Sequence, residues 1–272
     1  MQALYVDRAD DPRLAGYALL ADPQRLRREG WFVAEGRLVV DRLLQEGRYE
    51  IASLLLNESA WRALEPRLRE RSASAPVYLC PPQLFASLTG HDFHRGCLAL
   101  VRRPAPVPVE RVIEAARALV VLEGVGNADN VGSVFRNVAA FGADAVLLDP
   151  RSGDPLYRKT IRTSMGASLR VPFATLGGAD TAWPEPLTRL REQGFELLAL
   201  TPAPGALDID AFAGLPGRAS RFALLLGAEG DGLSAAALAC AQHRLRIAIR
   251  PEVDSLNLAV ACGIALQRLM PR

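Results

Sequence analysis

The sequence predicts an α/β protein in two parts, a small N-terminal α/β unit and a larger C-terminal unit built on a parallel sheet. Three observations carry this. Beyond residue 112, near-continuous apolar runs alternate with helical stretches, the pattern of strands covered on both faces. Before residue 104, shorter apolar runs mix with an amphipathic helix. Between them lies "RRPAPVPVERV", Arg102 to Val112, whose prolines can continue neither a helix nor a central strand and so form a stiff linker. The expected domains are 1–104 and 112–272.

The elements follow in chain order. "DPQRLRREGWFVAEGRLVVDRLLQEG" carries Leu38, Val39, Leu43 and Leu44 close to helical spacing, with Gly47 as the stop. "IASLLLN" (51 to 57), "APVYLC" (75 to 80) and "GCLALVRR" (96 to 103) read as short strands. After the linker, "ALVVLEG" (118 to 124) is a buried strand and "ADAVLLD" (143 to 149) the next, with a helix between. "FELLALT" (195 to 201), "RFALLLG" (221 to 227) and "HRLRIAI" (243 to 249) complete the series. No internal repeat is visible.

Composition excludes several classes. At 272 residues, half hydrophobic and 23% charged, the chain buries a real core without staples. A net charge of +2 neither demands nor forbids a polyanionic partner. The basic residues are nearly all arginine, with Lys159 the sole lysine; this suits phosphate binding, but genomic base composition explains it as well. Cys80, Cys97, Cys240 and Cys262 form no C-x-x-C pair and read as free buried thiols of a reducing compartment. His91, His94 and His243 lack partners at ligand spacing, so no metal is expected. With no signal-like start and no apolar run of about 18 residues, the expected location is the cytoplasm, with no membrane partner.

In sheets of this kind ligands gather at the carboxyl ends of strands, and three loops occupy such places. In "EGVGNADNVGSVFRNVAAFG" (Glu123 to Gly142), Asn130 reads as the helix N-cap. Val131, Val134, Phe135 and Val138 share the apolar face, with Ser133, Arg136 and Asn137 opposite. Arg136 is thus off the core face and near the positive end of its own helix, where a cation is unfavourable. Gly124-x-Gly126 supplies only the first part of a dinucleotide fingerprint, because Asp129 stands at the third glycine position. The second loop, "LLLGAEGDGLS" (Leu224 to Ser234), turns sharply on glycine; Glu229 and Asp231 make it a poor phosphate cradle. The third, "IAIRPEVDSLNLAVACGIALQRLM" (Ile247 to Met270), ends a strand and starts a helix near Ser255, with Asn257 about one turn from Asp254.

Together the three loops resemble the SpoU/TrmH family of RNA ribose methyltransferases, in the knotted SPOUT superfamily. Its N-x-G-x-x-x-R start is matched by Asn130, Gly132 and Arg136, its G-x-E-G-x-G loop by Gly227, Glu229, Gly230 and Gly232, and its S-L-N start by Ser255, Leu256 and Asn257. "FVAEGRLVVDRLL" and "HRGCLALV" look like the small, ribosomal-protein-like RNA substrate-binding domain of such enzymes. The chain departs from the pattern at Asn127-Ala128 and at Ala248, where loop stiffness rather than a reacting group changes. "SMGASLRVPF" (Ser164 to Phe173) is family-like without an assigned role.

The resemblance implies a deep trefoil knot in the C-terminal α/β domain, and a homodimer with the active site near the subunit interface. It implies methyl transfer from S-adenosyl-L-methionine to a ribose 2′-hydroxyl of RNA. Ribosomal RNA is the expected substrate, with transfer RNA, or an inactive RNA-binding or ribosome-assembly protein, as alternatives. The implied cofactor residues are Gly227, Ile247 and Leu256 through backbone groups, with Thr201 beside them. The implied catalytic set is Arg136 with Asn130, Glu229, Ser255 and Asn257. Arg136 is either a base or a phosphate-gripping charge.

Overall fold

The computed structural model describes residues 3–70, 75–89, 96–178, 183–217 and 220–270; His91 and His94 lie outside them. The chain divides into two units. The first comprises Met1–Ala105 together with Leu156–Arg170, and the second Pro106–Pro155 with Val171–Arg272.

The first unit holds a mixed sheet of β1 (Leu4–Tyr5), β2 (Trp31–Glu35), β3 (Ile51–Leu56), β4 (Val77–Leu79) and β5 (Cys97–Arg102), in the order β1-β4-β3-β5-β2. The strand Trp31–Glu35 sits inside the stretch read above as helical. The helix starts only at Arg37, after Gly36, and runs to Glu46 before Gly47 turns into the left-handed region at φ 70°. Its buried face is Val39, Val40, Leu43 and Leu44; Leu38, placed on that face by spacing, is exposed.

Leu156–Arg170 completes this unit. Its helix, Arg158–Thr163, brings Arg162 Nη1 to 3.4 Å and Arg158 Nε to 3.7 Å from the carboxylate of Glu35, which is 2% exposed at the end of β2. The carbonyl of Leu169 accepts from Tyr49 Oη at 3.1 Å and from Arg48, and that of Met165 from Arg42. The "SMGASLRVPF" stretch is therefore split: its first seven residues belong here, and Phe173 begins a strand of the second unit.

The second unit is the predicted parallel sheet, with seven strands where five were foreseen. They are β6 (Ala118–Glu123), β7 (Ala145–Leu148), β8 (Phe173–Thr175), β9 (Glu196–Leu200), β10 (Leu207–Asp208), β11 (Phe222–Gly227) and β12 (His243–Arg246). The order is β10-β12-β9-β11-β6-β7-β8, and every pairing is parallel. All six residues of β6 are buried, as a central strand covered on both faces requires. Leu119, Val121, Leu147, Leu197 and Leu225 pack on one face with Leu187, Leu190 and Phe195.

Two helices position the site. The Arg136 helix, Ala128–Phe141, buries Val131, Val134, Phe135 and Val138, and Phe135 meets Phe173 edge-on at 5.8 Å. The C-terminal helix, Leu258–Leu269, buries Leu258, Cys262, Ala265, Leu266 and Leu269. Asn137 Nδ2 donates to the Ala259 carbonyl at 2.6 Å and ties the two together. Among the described residues no helix is long and apolar enough to cross a membrane.

Candidate active site

A cavity of about 550 Å³ opens where β9, β11 and β12 end, the place the strand-end rule selects. Thr201 lines it from β9. Gly227 and Glu229 line it from β11, and Ile247 from beyond β12. Ser255, Leu256 and Asn257 close it ahead of the C-terminal helix. Its charged lining residues among those described are Glu229 and Asp254, both acids.

Asn257 joins the parts. It is itself the N-cap, so the helix starts at Leu258, three residues later than a start near Ser255. Its Oδ1 accepts from the backbone of Ala259 at 3.0 Å and Val260 at 3.3 Å. With the oxygen fixed by the cap, the amide orientation is determined. Its Nδ2 then donates to Asn130 Oδ1 at 3.1 Å and to Glu229 Oε1 at 3.0 Å. One side chain thus links its own stretch to two others, 127 and 28 residues away in sequence.

Asn130 is not the cap of its helix. Asn127 caps it, accepting from Asp129 N at 2.8 Å, and Asn130 lies in the first turn, 6% exposed. The shift frees the Asn130 amide to face Asn257. Arg136 likewise sits mid-helix rather than at the positive end, so its helix dipole is not opposed. It is exposed, lies outside the pocket wall, and makes no hydrogen bond or ion pair among the described residues. Ser255 is exposed on the wall, while Thr201 Oγ1 accepts from Ala203 N at 3.2 Å.

Gly227 has a specific reason to be glycine. A Cβ there would stand 2.1 Å from the Gly232 carbonyl carbon and 2.2 Å from Leu233 N. The loop returns so tightly, with Gly232 N bonded to Ala228 O at 2.9 Å, that no side chain fits.

A family model described as the SpoU rRNA Methylase family matches residues 117–267. The chain belongs to the SpoU rRNA methylase family. A relative named as an uncharacterized tRNA/rRNA methyltransferase of Mycobacterium bovis is 40% identical over 94% of this chain and 88% of its own. The 23S rRNA (guanosine(2553)-2'-O)-methyltransferase RlmP of Bacillus subtilis is 26% identical over 71% of each chain. Among solved structures, an RNA 2'-O ribose methyltransferase superposes with a TM-score of 0.74 at 27% identity, covering 98% of both chains. An AdoMet-bound rRNA methyltransferase from Sinorhizobium meliloti shares the fold at a TM-score of 0.81 and 23% identity, covering 99% and 98%.

Within this SpoU family member, the motif residues Gly227, Glu229, Ser255, Leu256 and Asn257 share one cavity, with Asn130 hydrogen-bonded to its edge. Sequence reasoning missed Asn137, whose only signal was an amide on the helix face turned from the core. It also missed the apolar floor of Leu200, Leu226, Ile249 and Leu258.

Proposed function

We propose that this protein transfers a methyl group from S-adenosyl-L-methionine to a ribose 2′-hydroxyl of RNA, with ribosomal RNA as the expected substrate. The carrying observation is the Asn257 amide, which joins Asn130 and Glu229 at the cavity where β9, β11 and β12 end. The names of RlmP and of the 2'-O ribose methyltransferase structure support the ribose position.

The residues present suit the cofactor. An apolar floor with acidic Glu229 and Asp254 matches a ligand that joins a flat adenine to cationic groups. Ile247 and Leu256 line the wall with backbone groups that no backbone hydrogen bond engages among the described residues, available to an adenine edge. Gly227, Ile247 and Leu256 would hold the adenosine, with Thr201 beside them. When bound, the cofactor supplies an electrophilic methyl on a sulfonium.

Asn130, Glu229, Ser255 and Asn257 orient the ribose. A guanidinium stays protonated in proteins, so Arg136 does not take the hydroxyl proton; it grips substrate phosphate and stabilises the developing alkoxide. The proton is left to a substrate phosphate oxygen. The protein acts as a homodimer, a reading supported by the exposed apolar Val253 and Val260 on either side of Asn257. The test is incubation of RNA with labelled cofactor, followed by mapping of 2′-O-methyl sites. Label recovered only on bases, or none on any RNA, overturns the reading.

A further inference from the structure

We infer that the second unit carries another pocket, built to take the edge of a nucleobase. A cavity of about 400 Å³ opens at the ends of β6, β7 and β8, lined by Glu123, Asp149, Arg151, Leu176, Trp183 and Ser234 among others. That volume lies in the range of small-molecule sites, roughly 300–1,000 Å³.

Among the described residues, two polar atoms of side chains that line this cavity are buried without hydrogen-bond partners, and they are of opposite sense. Glu123 is 2% exposed; its Oε2 accepts from Ser234 N at 3.0 Å, but no hydrogen bond reaches its Oε1. Arg151 Nη2 stands 3.8 Å from that oxygen, too far for one. The Trp183 Nε1 donor is likewise buried without an acceptor. A buried polar group left in this state needs a physical reason.

Asp149 lacks nothing by comparison. Its Oδ1 accepts from Gly124 N at 2.8 Å and from Ser152 Oγ at 2.6 Å. Its Oδ2 accepts from Arg151 Nε at 2.9 Å, holding that largely exposed guanidinium beside the cavity. The open functions are therefore one acceptor and one donor, with an arginine beside them.

A nucleobase supplies the complement. Each of the four bases sets an N–H donor next to a ring nitrogen or carbonyl acceptor on one edge. Both atoms lie beneath the cavity surface, so once a small side-chain shift opens them the donor meets Glu123 Oε1 and the acceptor meets Trp183 Nε1. The flat ring suits the apolar wall of Leu176, Pro150 and Trp183, and single-stranded RNA bases are read in this way, by edge bonds and stacking. Arg151 is placed for the attached phosphate. The pocket adjoins the first: Glu123 pairs with Gly227 across β6 and β11, and Ser234 ends the loop that Gly227 begins. A base held here belongs to a nucleotide close to the methylated one. That source of the base rests on the proposed RNA methylation; binding of a free nucleotide does not.

The test uses the full chain labelled with ¹⁵N. The chain has three tryptophans, Trp31, Trp61 and Trp183, and loss of one indole signal in Trp183→Phe assigns the third. Each nucleoside 5′-monophosphate is added separately at roughly millimolar concentration. The expected result is a saturable downfield shift of the Trp183 indole with at least one of them. Glu123→Gln retains an oxygen for Ser234 while turning the open acceptor into a donor, and should weaken binding about tenfold or more, the cost of one buried polar mismatch. If that variant does not fold, calorimetry on Trp183→Phe, which keeps an aromatic ring but loses the N–H, should show weakened nucleotide binding. The inference is overturned if no nucleotide moves the indole, as for a site holding only bridging water. It is equally overturned if inorganic phosphate alone reproduces the shift, or if Glu123→Gln binds normally. Cofactor binding and methyl transfer are measured alongside: their loss with the shift intact removes only the catalytic reading, and the reverse result removes only this one.

Discussion

Replacing Asn257 tests the candidate site most directly, because its two halves do different work. In Asn257→Ala the C-terminal helix loses its cap, which costs about 1 kcal/mol. Asn130 Oδ1, in a residue only 6% exposed, loses the Asn257 donor, for about 1–3 kcal/mol more. The exposed Glu229 contact adds almost nothing. The sum is about 2–4 kcal/mol, and at about 2–4 °C per kcal/mol the melting temperature should fall by about 4–16 °C. Asn257→Asp retains the capping oxygen and adds negative charge at a helix start, worth about 0.3–1 kcal/mol. It offers no donor, however, and sets a carboxylate against Glu229. It should melt above the alanine variant, yet lose methyl transfer as severely, by about 100-fold, the scale set by one positioned donor. Thermal melts monitored by circular dichroism, with transfer of labelled methyl to RNA, read both effects. An alanine variant that melts with the wild type, or an aspartate variant with normal activity, refutes the reasoning.

Arg136→Ala should reduce methylation by about 100-fold or more while changing stability by no more than about 0.5 kcal/mol and leaving cofactor affinity intact; near wild-type methylation would make it a surface residue. Arg136→Lys should lose nearly as much, since the planar fork goes with it, and substantial lysine activity would reduce its role to charge. Gly227→Ala should destabilise by about 1–3 kcal/mol and abolish cofactor binding, because the added Cβ meets backbone; a variant that melts normally contradicts that packing. Burial pushes the thiols of Cys80, Cys97 and Cys262 from 9.0 up to about 12, so a thiol reagent at neutral pH should find at most Cys240 in the native protein and all four after unfolding. The same raised values add stability that is complete below pH 9.0 and is lost as the pH rises towards about 12; melting temperatures that hold steady across that window would contradict it.

The parallel sheet was legible because strands such as Leu119–Leu122 are apolar at every position, a pattern only double coverage explains. Phe173–Thr175 and Leu207–Asp208 escaped notice because two or three residues show no period. Trp31–Glu35 was masked by the helix that follows it after one glycine. At the site, the motif positions could be read, but not which asparagine does what. Asn127 and Asn130 are equally good caps on paper, and only the fold assigns one to its helix and the other to Asn257. Pairings such as Glu35 with Arg162, 127 residues apart, leave no local trace.

That pairing bears on how the protein is made. The first unit lacks a piece when residue 105 leaves the ribosome, because Leu156–Arg170 has yet to be synthesised. At about 5–20 residues per second, the 65 residues from 105 to 170 take roughly three to thirteen seconds. Until then Glu35 has neither Arg158 nor Arg162 beside it. The nascent N-terminal half must wait in an unfinished state, its birth order and its folding order out of step. A gene cut after the proline-rich stretch would yield a polypeptide that waits indefinitely.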